Sequence, residues 1–268
     1  MLSARALPFR SVSVQPPSTL AIDIGGTGIK GAVLDAQGQM VTKRLKFSTP
    51  YPLPPEGIDS MVHLLTQFSA KFPVTSRMAV GFPGVVREGK ILVAPHFESS
   101  MGLGQKADPV LRKAWRGFPL EAALERSIGR PVRVVNDAEM QGLAVIARRG
   151  IEVVITLGTG FGFALYRDGV ATPHMEMGSM PLLRSGTLDG ELGNRARKRI
   201  GDDQWTLLVH RAVELLDDLV NFDHLYIGGG NARTVRRDGF GKRLDRITVV
   251  GNIAGILGGH YLFADEMA

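Results

Sequence analysis

The 268-residue sequence contains no cysteine. That excludes disulfides, cysteine-ligated zinc, iron–sulfur clusters and thiol nucleophiles, and no zinc is expected. No stretch approaches the ~18 consecutive apolar residues a membrane-spanning helix needs, so no membrane partner is expected. The first nineteen residues contain no acid but carry Arg5, Arg10 and a Pro16-Pro17 pair. Without a long apolar segment or a clear amphipathic helix, residues 1–19 read as a disordered tail rather than a transit segment. The net charge of +6 is basic but modest. No helix-turn-helix or RNA-binding module accompanies it, so no nucleic-acid partner is expected.

What the sequence does have is glycine, 33 residues without a collagen period, in a chain of ordinary hydrophobic (44%) and charged (22%) content. Such glycine sits in tight turns, some of which cradle phosphates. Leu20–Ile24 reads as a strand, followed by a glycine turn, a strand over Ile29–Leu34 and a third over Met40–Phe47, which makes a β-meander. A proline-rich loop follows, with Pro50, Pro52, Pro54 and Pro55. Helices are expected over Ile58–Phe68, near Val110–Trp115, over Leu120–Ile128, Ala138–Arg148 and Trp205–Val220, and over Asn252–Phe263. Further strands are expected at Met78–Phe82, Val132–Val135, Ile151–Leu157, Phe163–Tyr166, His224–Ile227 and Ile247–Val250. Residues 21–34 and 153–166 echo each other, each a strand, a Gly-Thr-Gly turn and a strand. The echo suggests two similar α/β lobes around a cleft. The boundaries expected are an N-terminal lobe over 20–135, joined by a returning C-terminal helix at 252–268, and a C-terminal lobe over 136–251.

Asp23-Ile-Gly-Gly-Thr-Gly28 is neither a P-loop nor a dinucleotide fingerprint, because apolar strand residues follow it. Its glycines allow backbone N–H groups to approach an anion; a plain hairpin turn fits it equally well. Gly158-Thr-Gly-Phe-Gly162 repeats the chemistry, and two such turns facing each other can grip a polyphosphate chain from both sides. Gly228-Gly-Gly230 is a third glycine turn, suited to an anion or a base if a helix follows. Asn136-Asp137 stands at a strand end before a helix, where the acid can take a proton from a substrate hydroxyl or can simply cap the helix. Glu176, in His174-Met-Glu-Met-Gly178, can bind vicinal hydroxyls or be a surface acid.

Five ordered motifs then carry a resemblance: Asp23-Ile-Gly-Gly-Thr-Gly-Ile-Lys-Gly31, Gly81-Phe-Pro-Gly84, Gly129-Arg-Pro-Val-Arg-Val-Val-Asn-Asp-Ala138, Leu157-Gly-Thr-Gly-Phe-Gly162 and Ile227-Gly-Gly-Gly230. Together, over residues 20 to about 263, they resemble the ROK family of sugar kinases. The first motif, and Leu192-Gly-Asn-Arg-Ala-Arg-Lys-Arg-Ile-Gly201 followed by Trp205, look most like its polyphosphate-using glucokinases and glucomannokinases. The resemblance implies a two-lobed, actin-like (ribonuclease-H-like) α/β fold. It implies phosphoryl transfer from polyphosphate or ATP to the 6-hydroxyl of glucose or a related hexose, in the cytoplasm, by a homodimer.

Carried onto these positions, the resemblance makes Asp137 the general base. Gly84, Asn136, Asp137, Glu176 and Asp189 would hold the sugar. Asp23, Gly25, Gly26, Thr27, Lys30, Thr159, Gly160, Gly229 and Gly230 would hold the donor, and Asp23 would hold Mg²⁺ through water. The departures from the family pattern fall on the sugar side. Ser179 stands where the family usually has a histidine, with His174 nearby. Asp189 replaces a glutamate, with Glu191 as the competing alignment. Pro95-His96 replaces Pro-Asn, and Ser99–Lys113 looks like an insertion. Basic clusters at Arg195–Arg199, Arg233/Arg236/Arg237 and Lys242-Arg243 would suit a long polyanion, or form a solvated helix face and loop. A non-catalytic sugar or phosphosugar sensor on the same scaffold is the alternative, prompted by Ser179.

Overall fold

The structure, a computed structural model, describes residues 15–50, 58–99, 106–182 and 186–266. Most of the expected tail and the proline-rich loop after Pro50 lie outside the described residues, as does part of the stretch read as an insertion.

The first half contains β1 (Thr19–Ile24), β2 (Ile29–Leu34), β3 (Leu45–Phe47), α1 (Ile58–Ser69), β4 (Arg77–Phe82), the hairpin β5 (Val85–Arg87) and β6 (Lys90–Val93), α2 (Pro109–Trp115), α3 (Leu120–Ile128), β7 (Val132–Asn136) and α4 (Asp137–Leu143). The second contains β8 (Ile151–Leu157), β9 (Phe161–Arg167), β10 (Val170–Ala171), α5 (Leu188–Leu192), α6 (Asn194–Ile200), α7 (Asp202–Val220), β11 (His224–Gly228), β12 (Ile247–Val249) and α8 (Ala254–Leu257).

The two main sheets have the same plan. One is ordered β3-β2-β1-β4-β7 and the other β10-β9-β8-β11-β12. In each, three strands form an antiparallel meander and two further strands run parallel to its first strand. This is the actin-like sugar-kinase fold, and the echo between residues 21–34 and 153–166 is the visible trace of it in the sequence.

Strand β1 is apolar almost throughout because both of its faces are covered. On one face Leu20, Ile22 and Ile24 pack with Met61, Leu65, Leu120 and Leu124 from α1 and α3. Each such side chain, removed from water, contributes about 1.5–3 kcal/mol. On the other face Ala21 and Ala32 pack with Ile256, and Ala79 with Met140 and Phe263. Small residues are needed there: a methyl on Gly259 would lie 2.7 Å from Ala21 Cβ and 2.9 Å from Ala79 Cβ. The second sheet buries Val153, Ile155 and Leu157 under Trp205, Val209 and Leu216 of α7. Helix α4 and the segment 254–266 thus lie between the sheets.

Several expected boundaries move. Strand β1 begins at Thr19, whose Oγ1 accepts from Arg77 Nε at 2.9 Å, so Ser18 and Thr19 belong to the packed structure. Met40 makes only an isolated bridge to Leu34, and β3 is correspondingly short. Helix α4 stops at Leu143 rather than Arg148, where the chain turns on Val145 and Ile146 N–H groups donated to Gly142 O. The expected helix 252–263 is broken into α8 and a 3₁₀ stretch, Gly258–Glu266. The break falls at Gly258-Gly259, poor helix formers held in place by close approach. Hairpin β5–β6 and helices α5 and α6 were not anticipated.

Candidate active site

Strands β1, β7, β8 and β11 all end at one cleft between the sheets, a cavity of about 510 Å³. Open α/β sheets bind ligands at this position, beyond the carboxyl ends of their strands. Every residue expected to hold sugar or donor lines it: Asp23, Gly25, Gly26, Thr27, Lys30, Gly84, Asn136, Asp137, Thr159, Gly160, Glu176, Asp189, Gly229 and Gly230.

The two glycine turns face each other. In the first, Gly25 N donates to Gly28 O at 3.0 Å, and Thr49 Oγ1 donates to Gly25 O at 2.6 Å. In the second, Gly158 N donates to Gly160 O at 3.0 Å, while Asn231 Nδ2 donates to Gly158 O at 3.2 Å. A methyl on Gly26 would lie 3.1 Å from Thr159 Cγ2 and would overlap the His96 ring. Glycine is therefore required here by packing as well as by exposure of its N–H. Gly229 holds φ 88°, a conformation that favours glycine. The expected helix behind this third turn is absent. Only a 3₁₀ turn, Ala232–Thr234, follows, so no helix N-terminus backs Gly228–Gly230.

The Asn136-Asp137 pair divides its labour. Asn136 caps α4: its Oδ1 accepts from Ala138 N at 2.8 Å and Glu139 N at 3.2 Å. Glu139 Oε2 returns the bond by accepting from Asn136 N at 3.3 Å, a reciprocal capping box. Asn136 Nδ2 donates to Gly84 O at 3.0 Å, which fixes the Pro83-Gly84 turn. Because Asn136 does the capping, Asp137 is free to face the cleft. Its Oδ1 accepts from Ala138 N at 2.9 Å. Burial, reinforced by the negative charges of Asp23 and Glu176, pushes Asp137 up to about 7, against that N–H bond and the charge of His174. An acid tuned to about 7 is suited to taking a proton at neutral pH.

Three more charges complete the wall. Asp189 Oδ1 accepts from Phe161 N at 2.8 Å, and burial raises its carboxyl, opposed by that N–H and reinforced by Glu176. Glu191, the competing alignment, points elsewhere and pairs with Arg199 at 3.2 Å. His174 reaches the cleft, with Nδ1 3.2 Å from Glu139 Oε1 and Nε2 3.9 Å from Glu176 Oε2. Asp23 lies opposite Lys30 in the β1–β2 register and pairs with its Nζ at 3.1 Å.

Sequence reasoning missed two participants. Lys46 of β3 lines the cleft beside Gly28; a lysine in a short strand carries no local signal. His96 is visible in the sequence only as a departure from the family's Pro-Asn. Its ring nitrogens are buried with no side-chain partner among the described residues, and burial, against the charge of Glu176 and the Pro83 backbone, pushes it down to about 4, so the ring is neutral. At least one member of each basic cluster is already paired. Arg197 is held by Asp202 at 2.8 Å and Asn231 at 2.9 Å, Arg236 by Asp203 at 2.9 Å and Arg243 by Asp217 at 2.6 Å.

Two sheets of one strand order, closing on a cleft walled by glycine turns and buried carboxylates, define a protein of the actin-like sugar-kinase class. Within that class the chain belongs to the ROK family, whose model matches residues 19–187. It is 28% identical to the polyphosphate glucokinase of Mycobacterium tuberculosis over 254 residues, 88% of each chain. Among solved structures it is similar to the inorganic polyphosphate/ATP-glucomannokinase of Arthrobacter sp. strain KM, with TM-score 0.74 and 29% identity over 93% of this chain and 99% of that one. The Streptomyces griseus ROK family glucokinase, solved with glucose and AMPPNP, shares the fold at TM-score 0.67 and 20% identity, over 91% of this chain and 98% of that one.

Proposed function

We propose that the protein is a hexose kinase that transfers a phosphoryl group from polyphosphate, ATP or both to the 6-hydroxyl of glucose or a close relative, with Asp137 as general base. The observation that carries this reading is the pairing of a carboxyl raised to about 7 with two glycine turns across one cleft. The printed names of the mycobacterial and Arthrobacter relatives support the choice of sugar and donor.

Asp137 accepts the hydroxyl proton as the sugar oxygen bonds to the terminal phosphorus and the bond to the leaving phosphate breaks. Glu176, Asp189 and the Asn136-tethered Gly84 turn hold the sugar. Gly26, Thr27, Thr159 and Gly160 offer the donor backbone N–H groups and two hydroxyls, Gly25 closes the first turn through its own N–H to Gly28 O, Lys30 supplies counter-charge, and Gly229 and Gly230 lie beyond. Protein catalysis of phosphoryl transfer is mostly such positioning and charge neutralisation.

Asp23 is the residue that would hold Mg²⁺, through water. No group of three or more metal-ligating side chains occurs among the described residues. A single carboxylate nevertheless suits this ion, which keeps several waters and takes further ligands from phosphates. When bound, the ion would neutralise donor charge.

A matrix of hexoses against ATP and long-chain polyphosphate, with and without Mg²⁺, tests the reading. Turnover of glucose or a near relative with at least one donor is expected; sugar binding with no turnover from either donor would point instead to a sensor. Activity should climb as pH rises from 6 to 8, because the base works only when deprotonated and is held near 7. A flat rate across that range would remove Asp137 from the role. Neutralising Arg195 and Lys198 together should slow polyphosphate turnover more than ATP turnover; equal losses would mean that no dedicated polyanion track exists there.

A further inference from the structure

His174 lies in the segment after β10, 35 residues from Glu139 in sequence. Its side chain is 4% exposed, and it stands between two carboxylates, Glu176 of the cleft wall and Glu139 behind it. Glu139 belongs to the capping box that holds the start of α4, where Asp137 stands. Glu176 is the carboxylate read above as a sugar ligand. The imidazole therefore joins the part of the site that presents the base to the part that presents the sugar. We propose that His174 is a positioning residue: its ring clamps Glu176 to the Asn136–Glu139 cap, so that the sugar-facing carboxylate and the helix carrying Asp137 are held in one register. The proposal rests on the kinase reading and says how this chain organises that site without a histidine at Ser179.

The chemistry of the ring supports it. Nδ1 lies within hydrogen-bond reach of Glu139 and Nε2 faces Glu176 at ion-pair distance, 3.9 Å; with both nitrogens protonated, the cationic form, the ring attracts both carboxylates. Burial alone would depress the ring, but the two carboxylates outweigh it and hold His174 at about 9. The charged groups facing it are Glu139 from α4 and Glu176 from its own segment. Those facing Asp137 are Asp23, Glu176 and His174 itself, and His174 is the one that favours the ionised base. The imidazolium thus also offsets the repulsion between Glu176 and Asp137. The other imidazole of the cleft, His96, is buried and held neutral and forms no ion pair with a carboxylate among the described residues, so it does not take this part.

The experiment compares His174→Gln, His174→Ala and Glu139→Gln with the wild-type protein. In both His174 variants the acid limb of the kcat/KM profile should move upward by about half a pH unit, because a cation favouring the Asp137 carboxylate is lost. The sugar KM should rise roughly tenfold in His174→Ala and less in His174→Gln, which keeps one hydrogen-bond donor. Combining His174→Ala with Glu139→Gln should add less than the sum of the single effects, since the two act through one contact.

Wild-type KM and an unmoved acid limb in both His174 variants would overturn the clamp. Should the variants fail to fold, the wild-type protein still decides: the His174 ring proton followed by NMR should titrate near 9, and titration at its ordinary value near 6.5 would overturn the proposal. A wild-type protein with no turnover on any hexose would sink the kinase reading; the NMR titration would then judge the clamp by itself.

Discussion

Asparagine at position 137 should lower kcat by about 10²–10⁴-fold, the usual contribution of a positioned general base, while the sugar dissociation constant stays within about threefold. The geometry explains the split. The side chain of residue 137 carries neither the helix cap nor the Gly84 tether, both of which belong to Asn136, so the substitution removes a proton acceptor and leaves the binding wall standing. The same variant should be more stable than the wild type above pH 7. Asp137 is raised from 3.8 to about 7 on folding, so the folded state prefers it protonated. Its stabilising contribution is complete at low pH and is lost as pH rises through that window; asparagine imitates the protonated form throughout. Melting curves at pH 8 should place the variant above the wild type, and the gap should close near pH 4. A variant that melts lower at pH 8, or turns over at the wild-type rate, would contradict the assignment.

Alanine at position 258 should produce the largest loss of stability of any single methyl added to the described glycines. Gly258 opens the 3₁₀ stretch after α8 and presses directly on the Met140 carbonyl of α4. A methyl cannot be accommodated by rotating a side chain, because the obstacle is backbone, and overpacking of this kind costs about 1–3 kcal/mol or more. For a chain of this size each kcal/mol lowers the melting temperature by roughly 2–4 °C. Gly251→Ala is the control: it has nothing within 4 Å and no positive φ, and it should melt with the wild type. The effect should reach function too, because Met140 is on the helix that begins with Asp137. A Gly258→Ala protein that keeps wild-type melting and kcat would mean the contact between α4 and the segment 254–266 is soft.

The parts legible in the sequence were those with local causes. Strand, glycine turn and strand can be read from Leu20–Leu34 and Ile151–Tyr166 because alternation of apolar runs with glycine is a short-range pattern. Asp137 was legible because an acid at a strand end before a helix is a local arrangement, and the family motifs ordered it among the others. What escaped had distant causes. The break at Gly258-Gly259 is imposed by Met140, and α4 ends early where the chain turns back toward β8. Asp189 could be separated from Glu191 only once Phe161 N and Arg199 had claimed one each. The pairing of Arg197, Arg236 and Arg243 with Asp202, Asp203 and Asp217 depends on how α6, α7 and the stretch before β12 come together. Charge clusters in the sequence could not reveal which of their members were already paired.

The segment 254–266 comes later in the chain than either main sheet, yet it covers the inner face of the first one through Ile256 and Phe263. On a ribosome, Ala21 and Ala32 would therefore lack this cover until residues 254–266 had emerged. The first half can collapse early on its outer face but can mature only last. During biosynthesis this surface is the one that most needs shielding from other nascent chains.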